Sequence, residues 1–206
     1  MQHDEPGDHP DQRLEERPRV FVVTGIMASG KSTVAQALAE RFTRSVHVRG
    51  DVFRRVIVSG SAPITPAGGE AMDAELRLRY RPSAMVTEEY ARAGYTVVVQ
   101  DVILGPDLAT YVGMIGHRPL SVVVLAPRPE VVARREAERP KKGYTNWTIE
   151  ALDASLREGT PRLGLWLDTS DQTPEQTVDE ILARVPESDI PASCIPEREA
   201  SGNVGP

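Results

Sequence analysis

The sequence predicts a three-layer α/β fold, a five-stranded parallel sheet with helices on both faces. Two observations carry that prediction. Five short apolar runs recur along the chain, and segments of helical period separate them. Parallel strands need such crossovers, and strands covered on both faces read as unbroken apolar runs. The second observation is that the first run passes directly into Gly25-Ile26-Met27-Ala28-Ser29-Gly30-Lys31-Ser32-Thr33. G-x-x-x-x-G-K-S between a strand and a helix is a phosphate-binding loop.

Arg19–Thr24 is the first predicted strand. Gly25 lets the chain turn sharply off it. Gly30 lets backbone N–H groups converge on phosphate oxygens without a Cβ in the way. Val34, Ala37, Leu38 and Phe42 fall on one face of the helix that follows. Ser45–Arg49 reads as the second strand and delivers Gly50-Asp51 at its end, while Ser59–Gly69, with three glycines and two prolines, reads as a loop. Helix is expected over Glu70–Ala93, with Pro82 either kinking it or opening a second helix. Thr96–Gln100 is a third strand ending in Asp101, and Gly105-Pro106 opens a helix to about Ile115. A fourth strand at Pro119–Leu125 leads to a basic helix over Arg128–Arg139, then to Pro140-Lys141-Lys142-Gly143, a candidate lid. Helix over Thr148–Glu158 is expected to start on a threonine cap, followed by a fifth strand at Leu163–Asp168 and a last helix at Pro174–Val185.

Residues 1–17 and 186–206 carry charge and proline without a hydrophobic period, and are expected to be disordered tails around a single domain over 18–185. The tails are net −4 and −3, so the total of −6 leaves the domain near +1. The acidity therefore says nothing against anionic ligands, and the near-neutral domain gives no sign of the broad basic face that a nucleic-acid partner needs. No apolar run approaches the ~20 residues of a membrane span. The start is acidic, and the single Cys194 excludes an intrachain disulfide, so a cytoplasmic location is expected.

With the phosphate-binding loop, Gly50-Asp51 and the arginine-rich lid together, residues 18–185 resemble the small-molecule kinases of the P-loop NTPase fold, among them shikimate kinase, gluconate kinase and chloramphenicol phosphotransferase. The resemblance implies a sheet of order 2-3-1-4-5, ATP with Mg²⁺, and a small-molecule hydroxyl as acceptor. Nucleotide contacts are implied for Gly25, Ala28, Ser29, Gly30, Lys31, Ser32 and Thr33, with Lys31 on the transferred phosphate and Ser32 on the metal. Asp51 takes the place of the aspartate that meets the acceptor hydroxyl. Arg134 matches the lid arginine that stacks on adenine, with Arg135 as its rival, and Arg139-Pro140 matches the pair that reaches the phosphates. Leu167-Asp168-Thr169-Ser170 followed by Thr173-Pro174-Glu175 resembles the adenine-side loop after the fifth strand, which implies Pro174 near the base. One departure is informative: shikimate kinase has a glycine-rich run after its third strand, where this chain has Gln100-Asp101-Val102-Ile103-Leu104-Gly105-Pro106, closer to chloramphenicol phosphotransferase.

These residue types suit phosphoryl transfer, which needs an in-line acceptor, compensated charge and a dry site. Asp51 is the candidate base, and its plain structural alternative is a helix N-cap. Asp101 ends a buried strand, where a carboxylate holds either a metal-bound water or the acceptor. Arg54 and Arg55, within a turn of Asp51, are the candidate acceptor-binding cations, with Arg77, Arg79 and Arg81 behind them. A nucleotide-gated switch that transfers nothing, and a kinase of nucleic-acid 5′-hydroxyl ends or of a nucleotide sugar, are the rival functions.

Overall fold

The computed structural model describes residues 17–63, 65, 66, 68–140, 143, 144 and 146–191. Of the tails expected over 1–17 and 186–206, residues 1–16 and 192–206 lie outside the described residues, as do Cys194 and the lysines Lys141 and Lys142.

Five strands form one parallel sheet in the order β2-β3-β1-β4-β5. They are β1 (Val20–Gly25), β2 (Ser45–Arg49), β3 (Thr96–Gln100), β4 (Leu120–Leu125) and β5 (Leu165–Leu167). Successive residues of a strand point to opposite faces, and the core divides accordingly. Val20, Val22, Val97, Val99, Val122 and Val124 face one layer of helices. That layer is α3 (Glu70–Arg92), α4 (Asp107–Met114) and α6 (Ile149–Arg157), which supply Tyr80, Ala84, Leu108, Tyr111, Leu152 and Leu156. Phe21, Val23, Val98, Val123 and Leu125 face the other, α1 (Lys31–Glu40) and α7 (Pro174–Ala183), through Val34, Leu38, Val178 and Ile181. The three layers and the strand order are those expected. Among the described residues no helix is long and apolar enough to cross a membrane.

Pro82 neither breaks nor restarts the third helix: α3 runs 23 residues through it. The carbonyl it leaves without a donor belongs to Leu78, which is half-exposed, so water can take the bond. The buried Tyr80, Ser83, Ala84 and Thr87 around the proline hold the helix against the sheet. Packing also continues past residue 185, where the domain was expected to end. A short helix α8 (Val185–Ser188) leads to Asp189, which bridges Ser121, and to Ile190, whose N–H donates to the Leu120 carbonyl at 2.8 Å. Ile190 is 5 % exposed, an apolar anchor that the surrounding proline and charge obscured in the sequence. Two further short helices, α2 (Val52–Arg55) and α5 (Pro129–Glu138), flank the carboxyl ends of the strands. In an open parallel sheet those ends border the ligand crevice.

Candidate active site

The loop between β1 and α1 is shaped for close approach. Gly25 has φ 147°, and a Cβ there would meet the Leu125 carbonyl oxygen at 2.4 Å. Gly30 is the N-cap of α1 at φ 99° and, like any glycine, offers no side-chain acceptor; the Thr33 N–H donates to the Gly30 carbonyl at 3.1 Å, which leaves the Lys31 and Ser32 N–H groups for a ligand. Ala28, at φ 61°, is strained into the same open loop. Lys31 is buried, and its ammonium donates to the Ile26 carbonyl at 2.8 Å. Burial lowers its pKa to about 8, with Asp101 and Asp51 pulling upward and Arg139 and Arg79 pushing further down. Ser29 is buried with an unpartnered hydroxyl, while Ser32 and Thr33 are exposed.

Asp101 stands directly behind this loop. A Cβ on Gly50 would lie 2.3 Å from its Oδ2, so only glycine at the end of β2 lets the carboxylate sit there. Its Oδ1 accepts the Val102 N–H at 2.8 Å, and Arg79 Nε lies 3.0 Å from Oδ2. The N–H does not point along that line, and both atoms lack a hydrogen bond. Burial raises the Asp101 pKa against the opposing pull of Arg79 and the Val102 N–H. Arg79 stands with Arg77 and Arg81 behind Arg54 and Arg55 among the candidate arginines, yet its side chain is only 10 % exposed. It is anchored further by NH2 on the Val102 carbonyl at 3.3 Å and by the Tyr80 ring.

Asp51 occupies the N-cap position of α2 but makes no capping hydrogen bond, so the plain structural role is not realised. Its carboxylate instead lies 3.2 Å from Arg55 NH2 and 3.8 Å from Arg49 Nε. Arg55 is therefore tied to Asp51. Arg54 turns away to Glu75, with Nε donating at 2.9 Å, and to the Ala62 carbonyl at 3.1 Å.

The lid arginines separate clearly. Arg134 is exposed, whereas Arg135 donates NH1 to the Ser29 carbonyl at 3.2 Å and NH2 to the Thr169 carbonyl at 2.9 Å. It joins the phosphate-binding loop to the loop after β5, where the Thr169 hydroxyl is buried without a partner. Pro174 opens α7 beneath a Thr173–Gln176 capping box. Arg139 is held by Glu136 Oε2 at 3.0 Å. Glu136 is the residue that sequence reasoning missed. Its Oε1 also accepts the Gly143 and Tyr144 N–H groups, and Tyr144 in turn donates its hydroxyl to the Met27 carbonyl at 2.7 Å. Burial would raise the Glu136 pKa, but the two backbone N–H groups and Arg139 outweigh it and hold it below the usual glutamate range. The 3-residue spacing from Glu136 to Arg139 hinted at that pair; nothing in the sequence marked Tyr144.

Residues 20–162 match the family described as AAA domain. The chain belongs to that family. It is 32 % identical over 139 residues to a UPF0200 protein of Aeropyrum pernix, a stretch covering 66 % of this chain and 73 % of that one. Its fold is similar to a sugar kinase from Janibacter sp. HTCC2649, with TM-score 0.63, 22 % identity, and 87 % and 99 % of the two chains covered. It is also similar to a gluconokinase from Sinorhizobium meliloti 1021, with TM-score 0.58, 21 % identity, and 84 % and 94 % covered. The architecture is that of the P-loop kinases.

The residues fit a nucleotide with its metal. The uncapped α1 N-terminus and buried ammonium suit polyphosphate, and the exposed Ser32 hydroxyl and unsatisfied Asp101 Oδ2 suit Mg²⁺ and its water.

Two outcomes follow. Lys31→Met should leave the melting temperature of the free protein unchanged or raised, because a desolvated charge is removed, while abolishing the upward shift that ATP·Mg²⁺ gives the native protein in a thermal melt. Glu136→Gln should cost about 1–3 kcal/mol of stability at pH 7, measured by denaturant unfolding. The contribution of a carboxylate with a lowered pKa is present above the ordinary glutamate range and lost as pH falls through the lowered value. The difference between native and variant should therefore vanish on acidification.

Proposed function

We propose that the protein is an ATP-dependent phosphotransferase that moves the γ-phosphate to a hydroxyl of a small molecule. The observation that carries this reading is the buried ammonium of Lys31 at the phosphate-binding loop, whose charge is coupled to Asp101, Arg139, Arg79 and Asp51, with Arg79 Nε 3.0 Å from Asp101 Oδ2. A second carboxylate beside the lysine suits a reaction in which an acceptor oxygen must be held in line with the transferred phosphoryl group.

In this reading Lys31 leaves the Ile26 carbonyl for the β- and γ-phosphate oxygens, and Arg139 comes in from the lid to compensate the charge that spreads over the γ-phosphoryl group. Arg135, fixed between Ser29 and Thr169, lies over the base and holds the two loops at one spacing. Asp51 lets go of Arg55 and accepts the proton of the acceptor hydroxyl. The acceptor oxygen forms its bond to phosphorus as the bond to the β–γ bridging oxygen breaks, and ADP leaves with that electron pair. Mg²⁺, when bound, neutralises phosphate charge, and Ser32 and Asp101 are the residues that would hold it. The lid, pinned through Glu136 and Tyr144, keeps water from taking the phosphoryl group in place of the acceptor.

The test is ADP release by the purified protein with ATP·Mg²⁺ and a panel of hydroxylated small molecules, with a 5′-hydroxyl oligonucleotide beside them. Asp51→Asn should lower acceptor-stimulated kcat by about 10²–10⁴-fold, with ATP affinity little changed. If the variant instead leaves a slow acceptor-independent hydrolysis untouched and no acceptor stimulates the native protein, the nucleotide switch becomes the better reading.

A further inference from the structure

We propose that two copies of this chain join along the free edge of β2, strand antiparallel to strand, with His47 opposite the partner's His47. β2 is the last strand on its side of the sheet and pairs only with β3. The Arg44 carbonyl accepts the Thr96 N–H, and the Gly50 N–H donates to the Gln100 carbonyl. In a parallel ladder alternate residues turn both backbone groups to the same neighbour, and the residues between turn theirs the other way. Ser45, His47 and Arg49 therefore aim their N–H and C=O groups away from β3. None of these groups has a backbone partner among the described residues. Such an edge is a template for another strand unless something blunts it, and β2 has no proline, no bulge and no charge at its centre. The opposite edge, β5, is protected by its length of only 3 residues.

The occupant is a second copy because the edge is complementary to itself. Its outward residues are spaced evenly about His47. A two-fold axis normal to the sheet then sets Ser45 against the partner's Arg49, His47 against its counterpart, and Arg49 against the partner's Ser45. Each of these pairs exchanges both N–H···O=C bonds, and the contact closes on itself without leaving a new edge of the same kind.

That axis reverses the strand but keeps the faces of the sheet, so like layers meet. On the α3 face Val46 comes opposite the partner's Val48, a β-branched cross-strand pair. This face is open in the single chain: a groove of about 270 Å³ beside β2 is lined in part by Val46, Val48, Val52, Phe53, Val86 and Tyr90. Met85 and Tyr90 on α3 are 68 % and 42 % exposed, an apolar rim that a neighbouring copy covers. On the α1 face, Ser45 donates its hydroxyl to the Ala39 carbonyl, which puts the exposed Glu40 beside it. Arg49, arriving opposite Ser45, brings a guanidinium to that carboxylate. Among the described residues Glu40 meets only the Gln36 amide and no Arg or Lys. Charge and register thus agree on one arrangement, and the paired strand leads directly into Gly50-Asp51 at the candidate site of each copy.

The experiment is sedimentation equilibrium of the full chain over concentrations from about 1 to 100 µM, with dimer expected to dominate at the upper end. His47→Pro removes an outward N–H and nothing from the β2–β3 ladder, and an edge strand tolerates it. It should raise the dimer dissociation constant at least about tenfold while the far-UV circular dichroism stays native. A native chain that stays monomeric throughout overturns the proposal and leaves the edge to some other occupant. So does a dissociation constant unmoved in a folded His47→Pro protein, which puts the contact on another face, or a mass that climbs past the dimer without limit. If His47→Pro does not fold, Glu40→Arg decides. It sets like charges against the partner's Arg49 at both ends of the interface and should weaken the dimer about tenfold, with Arg49→Glu added to it restoring association. A dimer indifferent to Glu40→Arg overturns the proposal.

Discussion

A buried charge imbalance at the carboxyl ends of β1 and β3 is the constraint on which the site depends. Lys31 and Arg79 are held out of water beside a single fully buried carboxylate, Asp101, with Arg139 adding further positive potential. Isolated buried ions cost several kcal/mol each, and here the nearest counter-charge is shared. The lowered pKa of Lys31 expresses the shortfall, and burial is its largest cause. A polyphosphate brings the missing negative charge, so the energy stored in the free site returns as affinity for the anion. Gly50 makes the arrangement sterically feasible, because any side chain there would displace Asp101. The parallel sheet supplies the rest by delivering the phosphate-binding loop, Gly50-Asp51 and Asp101 to one rim from three adjacent strands.

A second carboxylate is used in a different way after α5. Glu136 gathers the Gly143 and Tyr144 N–H groups and the Arg139 guanidinium. Tyr144 then fastens this segment to the Met27 carbonyl in the phosphate-binding loop itself. Arg139 and Tyr144 are thereby linked through Glu136 to the conformation of the phosphate-binding loop. A change in the loop that turns the Met27 carbonyl would release the tyrosine, while the carboxylate would still keep Arg139 attached to α5.

Legibility in the sequence followed how local each cause was. The strand order came through resemblance and the layers through apolar runs, and both appear in the structure because burial of β1, β3 and β4 on two faces leaves little choice of arrangement. The phosphate-binding loop was legible residue by residue, since its geometry is set by glycines in fixed positions. Long-range pairing was not. Which of five arginines turns inward depends on the helical phase of α3 against β3, and the sequence put Arg54 and Arg55 ahead of Arg79 only because they stand closer to Asp51 in the chain. Ile190 is not legible for a similar reason: one isoleucine among prolines and acids gives no period, yet it completes a backbone hydrogen bond to β4.

The same distinction separates what the site does from what it acts on. Phosphate chemistry is carried by backbone geometry and one lysine, and a motif can encode it. Side-chain charge pairing beside the site runs instead through contacts 21 to 23 positions apart: Arg54 with Glu75, and Arg79 with Asp101 and the Val102 carbonyl. Counting arginines near Asp51 suggests an anion pocket, but which of them stands beside a carboxylate is set by the fold and not by the count: Arg54 by Glu75, Arg55 by Asp51 and Arg79 by Asp101.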